Sequence, residues 1–149
     1  MIIHGIENQT IEMEIDGFEQ DDVEWLYIRL KVNSKLGSWE VTDPFLRFQD
    51  VKEVINWFRD WADNKPQVVR RLQFIEPNIE FEITAYDNDS KQLRIIFNWE
   101  CRPKPPKNIE YYVDCSLTNE QLSRISNDFL VGLQKFVSDN QYPFDINSH

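Results

Sequence analysis

The sequence predicts an α+β fold: an antiparallel β-sheet of about six or seven strands with two helices packed on one face. Three observations predict it. Segments whose side chains alternate in character recur along most of the chain, as half-buried strands require. Two longer segments carry apolar residues at i, i+3, i+4 and i+7, the stripe of an amphipathic helix. No period of roughly 20 to 50 residues recurs, which sets repeat arrays aside. A single domain over residues 1–149 is expected, because the length is that of one ordinary domain. The composition, 41% hydrophobic with five Trp and ten Phe, supplies a core without disulfide staples.

In chain order, "TIEMEI" puts Ile11, Met13 and Ile15 on one side of a strand and Glu12 and Glu14 on the other. "EWLYIRLKV" repeats the pattern, with Leu26, Ile28, Leu30 and Val32 opposite Trp25, Tyr27, Arg29 and Lys31. "NSKLG" then turns into "SWEVT", where Trp39 and Val41 oppose Ser38, Glu40 and Thr42. The first helix is "DVKEVINWFRDWADN": Val51, Val54, Ile55, Phe58 and Ala62 form its buried stripe, and Asp50 and Glu53 have capping-box spacing. Trp57 and Trp61 fall at the edge of that stripe, half buried, and are secondary candidates for a partner.

"IEFEITAY" and "QLRIIFNWE" flank the turn "DNDS", sending Ile79, Phe81, Ile83, Leu93, Ile95, Phe97 and Trp99 inward and Glu80, Glu82, Arg94 and Asn98 outward. "RPKPPKN" is a stiff loop, since its prolines lack backbone donors. In "YYVDCSLTNEQL" a strand runs straight into a helix. Tyr111, Val113, Cys115 and Leu117 alternate with Tyr112, Asp114 and Ser116; Thr118 caps, Gln121 sits at N3, and Leu117 staples to Leu122. Leu122, Ile125, Phe129, Leu133 and Phe136 carry the helix to about Val137, with Gly132 either a close-packing point or a weak spot. Residues 139–149 are expected to lie loosely on the surface, with Phe144 tucked in.

A formal charge of −10 repels phosphate backbones, so no direct nucleic-acid binding is expected. No segment reads as a signal peptide or a membrane span, which points to a cytoplasmic protein whose Cys101 and Cys115 stay reduced. His4 and His149 are the only histidines, neither cysteine has a ligand-spaced neighbour, and the four glycines are scattered. Catalytic residues, metal and cofactors are therefore assigned as none. "YDNDS" lacks the later Gly and Glu of a calcium loop. A small hydrolase using Glu80 with Glu82, or Glu12 with Glu14, is the one enzymatic alternative, and simple solvation of a strand's outer side explains those pairs without it.

With the helices covering the apolar side, the outward residues share one wet face, mostly acidic with aromatic islands. The partner-binding set read from it is Glu12, Glu14, Trp25, Tyr27, Glu40, Glu80, Glu82, Arg94, Glu110, Tyr112 and Asp114. Reversing Glu80 and Glu82 to Lys is expected to leave the fold intact while harming recognition of a basic partner.

The ordered set "DDVEWLYIRLKV", "GSWEVTDPFL", the Trp-containing helix, "LQFIEPNIEFEI" and "VDCSLTNEQL" resembles the WapI-like immunity proteins, over roughly Gly5 to Val137. The resemblance implies a non-enzymatic cytoplasmic antitoxin; a monomer or weak dimer is expected. It would bind the C-terminal toxin domain of a wall-associated, contact-dependent bacterial toxin, often a nuclease acting on transfer RNA. The alternative is an adaptor or ligand-binding module with no toxin partner.

Overall fold

A computed structural model describes residues 1–147. Its first strands, β1 (Ile2–His4), β2 (Thr10–Phe18), β3 (Trp25–Ser34) and β4 (Gly37–Arg47), pair antiparallel in chain order and lead directly into helix α1 (Phe48–Ala62). A second set, β5 (Arg71–Leu72), β6 (Ile79–Tyr86), β7 (Ser90–Phe97) and β8 (Tyr111–Thr118), does the same and leads directly into α2 (Asn119–Asp139). The described residues thus form two four-stranded sheets, not one sheet of six or seven strands, and the order of four strands and a helix occurs twice. The class is α+β as expected. The division has a physical cause. Within each set every strand bonds to its sequence neighbour, through connections of six residues or fewer except the 98–110 loop between β7 and β8, while α1 carries the chain away from β4 before β5 begins. Alternation says which side of a strand is wet but not which strand lies next to it.

The helices pack on each other and fill the space the sheets enclose. Phe58 of α1 stacks on Phe129 of α2 with ring centroids 6.2 Å apart, and the buried Ser126 hydroxyl donates to the Ile55 carbonyl at 2.8 Å. Trp57 and Trp61 are not at a half-exposed edge. Both are buried, and their indole N–H groups donate to the Val69 carbonyl at 2.7 and 3.3 Å. The α1 stripe is wider than its aliphatic residues predict because the loop after it folds back to give each indole an acceptor.

The two helix starts differ. Thr118 caps α2 as read: its hydroxyl accepts from Gln121 N–H at 3.1 Å, and Gln121 Oε1 accepts from Thr118 N–H at 2.8 Å. Helix α1 begins two residues before Asp50, which therefore sits at N3 rather than at the cap. Arg47 is the cap residue. Its guanidinium has no acceptor, so only half of a capping box exists, with Asp50 Oδ2 receiving Arg47 N–H at 2.8 Å. Asp50 is buried and held further by the Arg47 side chain at 2.7 Å.

Two other expectations are corrected. Trp99 does not continue the inward face of β7. The chain leaves the strand after Phe97 into a short 3₁₀ turn (Trp99–Cys101), where Trp99 has φ +47° and is 56% exposed. In the tail, Tyr142 is buried: its hydroxyl donates to the Val23 carbonyl and its ring packs on Phe18 and Phe136. Phe144 lies 5.7 Å from the Phe48 ring, so this part of the segment is anchored rather than loose.

Two contacts tie the sheets to each other. Trp39 of β4 sits edge-on to Phe97 and Tyr111 and donates its indole N–H to the Cys101 carbonyl at 2.8 Å. At the other, the turn after β1 lies so close to β8 that a Cβ on Gly5 would stand 2.6 Å from Val113 Cγ1, a distance only glycine permits. Cys101 and Cys115 are buried and unpaired, and burial pushes the Cys115 thiol up to about 12. Such thiols are inert at neutral pH.

Candidate functional site

Since alternation splits each strand into a core side and a wet side, two sheets make two outward faces, and the expected single acidic face does not exist. Glu12, Glu14, Trp25, Tyr27 and Glu40 belong to the first sheet; Glu80, Glu82, Arg94, Tyr112 and Asp114 belong to the second, with Glu110 just before β8.

Register orders the first face. Glu12 stands opposite Lys31, which stands opposite Glu40; in the next row Glu14 stands opposite Arg29, and these two form an ion pair. Further carboxylates crowd the same cations. Asp16 and Glu40 add to Glu14 in holding the Arg29 guanidinium above its ordinary pKa, and Glu19 beside Tyr27 raises that phenol. At the far edge Asp43 is raised as well, by burial foremost, with Glu100 and Glu19 adding and Lys104 opposing. Around Arg29, Lys31 and Tyr27 the acids Glu12, Glu14, Asp16, Glu19, Glu40 and Asp43 outnumber the two cations, a net charge of −4. Glu12, Asp16, Glu19 and Glu40 make no ion pair among the described residues. Trp25 and Tyr27 are half buried, with Trp25 opposite Arg47 in the register.

The second face is cross-linked to itself. Arg94 grips Asp114 through two bonds of 2.8 and 3.0 Å and lies 4.0 Å from the centre of the Tyr112 ring. Gln92 donates to Ser116 at 3.0 Å. Glu82 faces Arg71 on one side and Arg94 on the other. Glu80, read as outward and free, is only 4% exposed: Arg71 donates to one of its oxygens at 2.6 Å and Gln73 to the other at 2.7 Å. The Glu80 reversal is therefore not neutral for the fold, contrary to the sequence expectation. The short strand β5, too brief to show a period, brings Arg71 across it. Ile96, opposite both Glu80 and Tyr112, is buried on this outward side and completes the cover.

Sequence reasoning missed Asp16, Glu19 and Asp43. The signal for Asp16 and Glu19 was the acidic run through "DGFEQDDVE", which falls where β2 turns into β3 and so sits beside the first face; Asp43, on β4 outside that run, gave none. His4 is exposed on β1, and His149 lies outside the described residues. No described helix is long and apolar enough to cross a membrane.

Both outward faces are charged and dotted with aromatics, the composition common at protein–protein contacts. The family model of the WapI-like immunity proteins matches residues 1–137, taking in all eight strands and nearly all of α2, and the chain belongs to that family. No curated protein matches the chain. Membership supports an immunity role and implies binding of a cognate toxin protein.

Proposed function

We propose that this protein acts in the cytoplasm, as a monomer or weak dimer, to bind and neutralise the C-terminal domain of a cognate secreted toxin, a basic nuclease acting on transfer RNA. The observation that carries the reading is the excess of unpaired carboxylates on the first sheet, in a chain whose family is one of immunity proteins. A nuclease domain must gather phosphates and so presents cations; an acidic face with Tyr27 and Trp25 among its charges attracts the same cations and covers them. Glu12, Glu14, Tyr27 and Glu40 form the centre of the contact. Glu82, Glu110 and Tyr112 on the second sheet flank it, whereas Glu80, Arg94 and Asp114 serve mainly to hold that sheet together.

The test is binding of the toxin domain encoded beside this chain, measured at two salt concentrations, for the wild type and for the double variant Glu14→Lys/Glu40→Lys. Disrupting a desolvated charge pair costs about 2–5 kcal/mol, and ~1.4 kcal/mol is one decade of affinity, so the variant should bind at least tenfold more weakly and fail to protect cells. Equal binding by the variant, with affinity indifferent to salt, sinks the acidic-face reading. Failure of the wild type to form any complex removes the toxin partner and leaves the adaptor.

A further inference from the structure

The first sheet is only half closed on its β2 side. β1 pairs with β2 at Thr10, Ile11 and Glu12, and the Met1 backbone exchanges bonds with Met13; beyond that no described strand lies against residues 14–18 on that side. Along an antiparallel strand, peptide groups point alternately to the two sides. Ile15, two residues after Met13, therefore turns its N–H and C=O away from β3 and toward the open edge, where they have no strand partner. Native sheets normally blunt or cover such an edge, because it is a template for another strand.

A groove of about 660 Å³ runs along this edge, with β2 on one side and the last turns of α2 on the other. Its floor is apolar, from Ile15, Phe129 and Phe136, and its rim is charged. Five carboxylates line it, Glu12, Glu14, Glu40, Asp128 and Asp139, against three cations, of which Arg29 is already held by Glu14. The lining side chains carry a net charge of −2, to which the Met1 ammonium, bonded to the Met13 carbonyl, adds one positive charge. The α2 wall contains Gly132, and its place there is not explained by packing: a Cβ built on it would meet nothing within 4 Å. A glycine inside a helix weakens it relative to alanine. Here it leaves part of the groove wall without a side chain.

We infer that the exposed edge of β2 receives an extended, basic segment of the toxin domain, which adds as a fifth strand to the first sheet with its apolar side chains in the groove and its Lys or Arg side chains against the acidic rim. Backbone bonds to the Ile15 peptide supply the register, alternate side chains enter the groove, and the carboxylates select for cations. This rests on the immunity reading and specifies how the first face engages its partner: edge-on through β2, with the outward acids lying beside the added strand.

The experiment uses the full chain and the toxin domain encoded beside it. Amide hydrogen exchange at Ile15 should slow by at least about tenfold in the complex, because a surface or face-on contact leaves that N–H without an acceptor while a paired strand provides one. Gly132→Trp, which fills the groove from the α2 wall, should bind at least about tenfold more weakly while its melting temperature stays near that of the wild type. A complex in which Ile15 exchanges as fast as in the free protein overturns the inference even if neutralisation is intact, and so does full affinity in a folded Gly132→Trp variant. Protection of Ile15 that grows with the concentration of this chain alone assigns the edge to a second copy and overturns it too. Absence of any complex with the wild type overturns the immunity reading itself, and this inference with it. Should Gly132→Trp not fold, exchange at Ile15 in the wild-type complex still decides.

Discussion

Glu40 and Glu80 both point outward from an antiparallel sheet by the alternation of their strands, yet one is exposed without an ion pair and the other is 4% exposed with both oxygens bonded. The difference comes from their neighbours. Glu40 lies on an edge strand and faces a single lysine across one register step. Glu80 lies on an inner strand, with Arg71 and Gln73 beside it and Ile96 opposite. Two halves with the same order of elements thus use outward carboxylates in different ways: the second half spends them on joining its own strands, and the first leaves them available. Outward on a strand is not the same as free.

The largest expected effect breaks that comparison directly. Glu80→Lys removes two charge-assisted bonds from a buried carboxylate and sets a cation against Arg71, so it should destabilise by about 2–3 kcal/mol. Glu40→Lys should change stability by less than about 0.5 kcal/mol, as unconstrained surface positions do. Urea midpoints at constant m-value compare the two. Equal costs would mean the two faces do not differ as described.

Next in size is the helix start. Thr118→Ala should cost about 1 kcal/mol, the usual effect of losing a capping hydroxyl, and leave toxin affinity unchanged once the protein is folded. A variant that melts like the wild type but binds poorly would move the interface to α2's first turn. Smaller still is Arg94→Ala, which loses a two-bond pair to Asp114 and a stack on Tyr112 at a half-exposed site; about 0.5–1 kcal/mol is expected. Arg29→Ala, with one exposed pair to Glu14, should cost less. If the order reverses, the first face is the more tightly cross-linked of the two.

The smallest effect is on pH dependence. Asp43 has its folded pKa raised, by burial first and then by Glu100 and Glu19, so its contribution to stability is fully present below the unfolded carboxylate value, near 4, and is lost as pH rises through the folded value. Asp43→Asn should therefore be slightly more stable than the wild type at pH 7, with the gain disappearing below about pH 4. A difference that persists in acid would assign the gain to packing rather than charge.

Much of this protein was determined by local sequence alone. Period-two segments marked six of the eight strands, the i, i+3, i+4 stripes marked both helices, and Thr118 with Gln121 placed the start of α2, because each of these features is decided by residues within a turn or two of one another. The excess of negative charge was equally legible, and the order of the strand and cap segments carried the family. Only the tertiary structure decided the rest. β1 and β5 are too short to show a period, and pairing partners are chosen by turns and by the interruption at α1, so one predicted sheet became two. The burial of Glu80, Trp57 and Trp61 depends on groups that arrive from elsewhere: Arg71 and Gln73 across a strand boundary, and the Val69 carbonyl from a returning loop. Whether Gly132 packs or leaves space depends on what stands opposite it, and there stands a groove beside an open strand edge. A side chain's own sequence neighbours set the direction it takes from the backbone; whether it meets water, an ion pair or a partner is set by chain segments that only folding brings near.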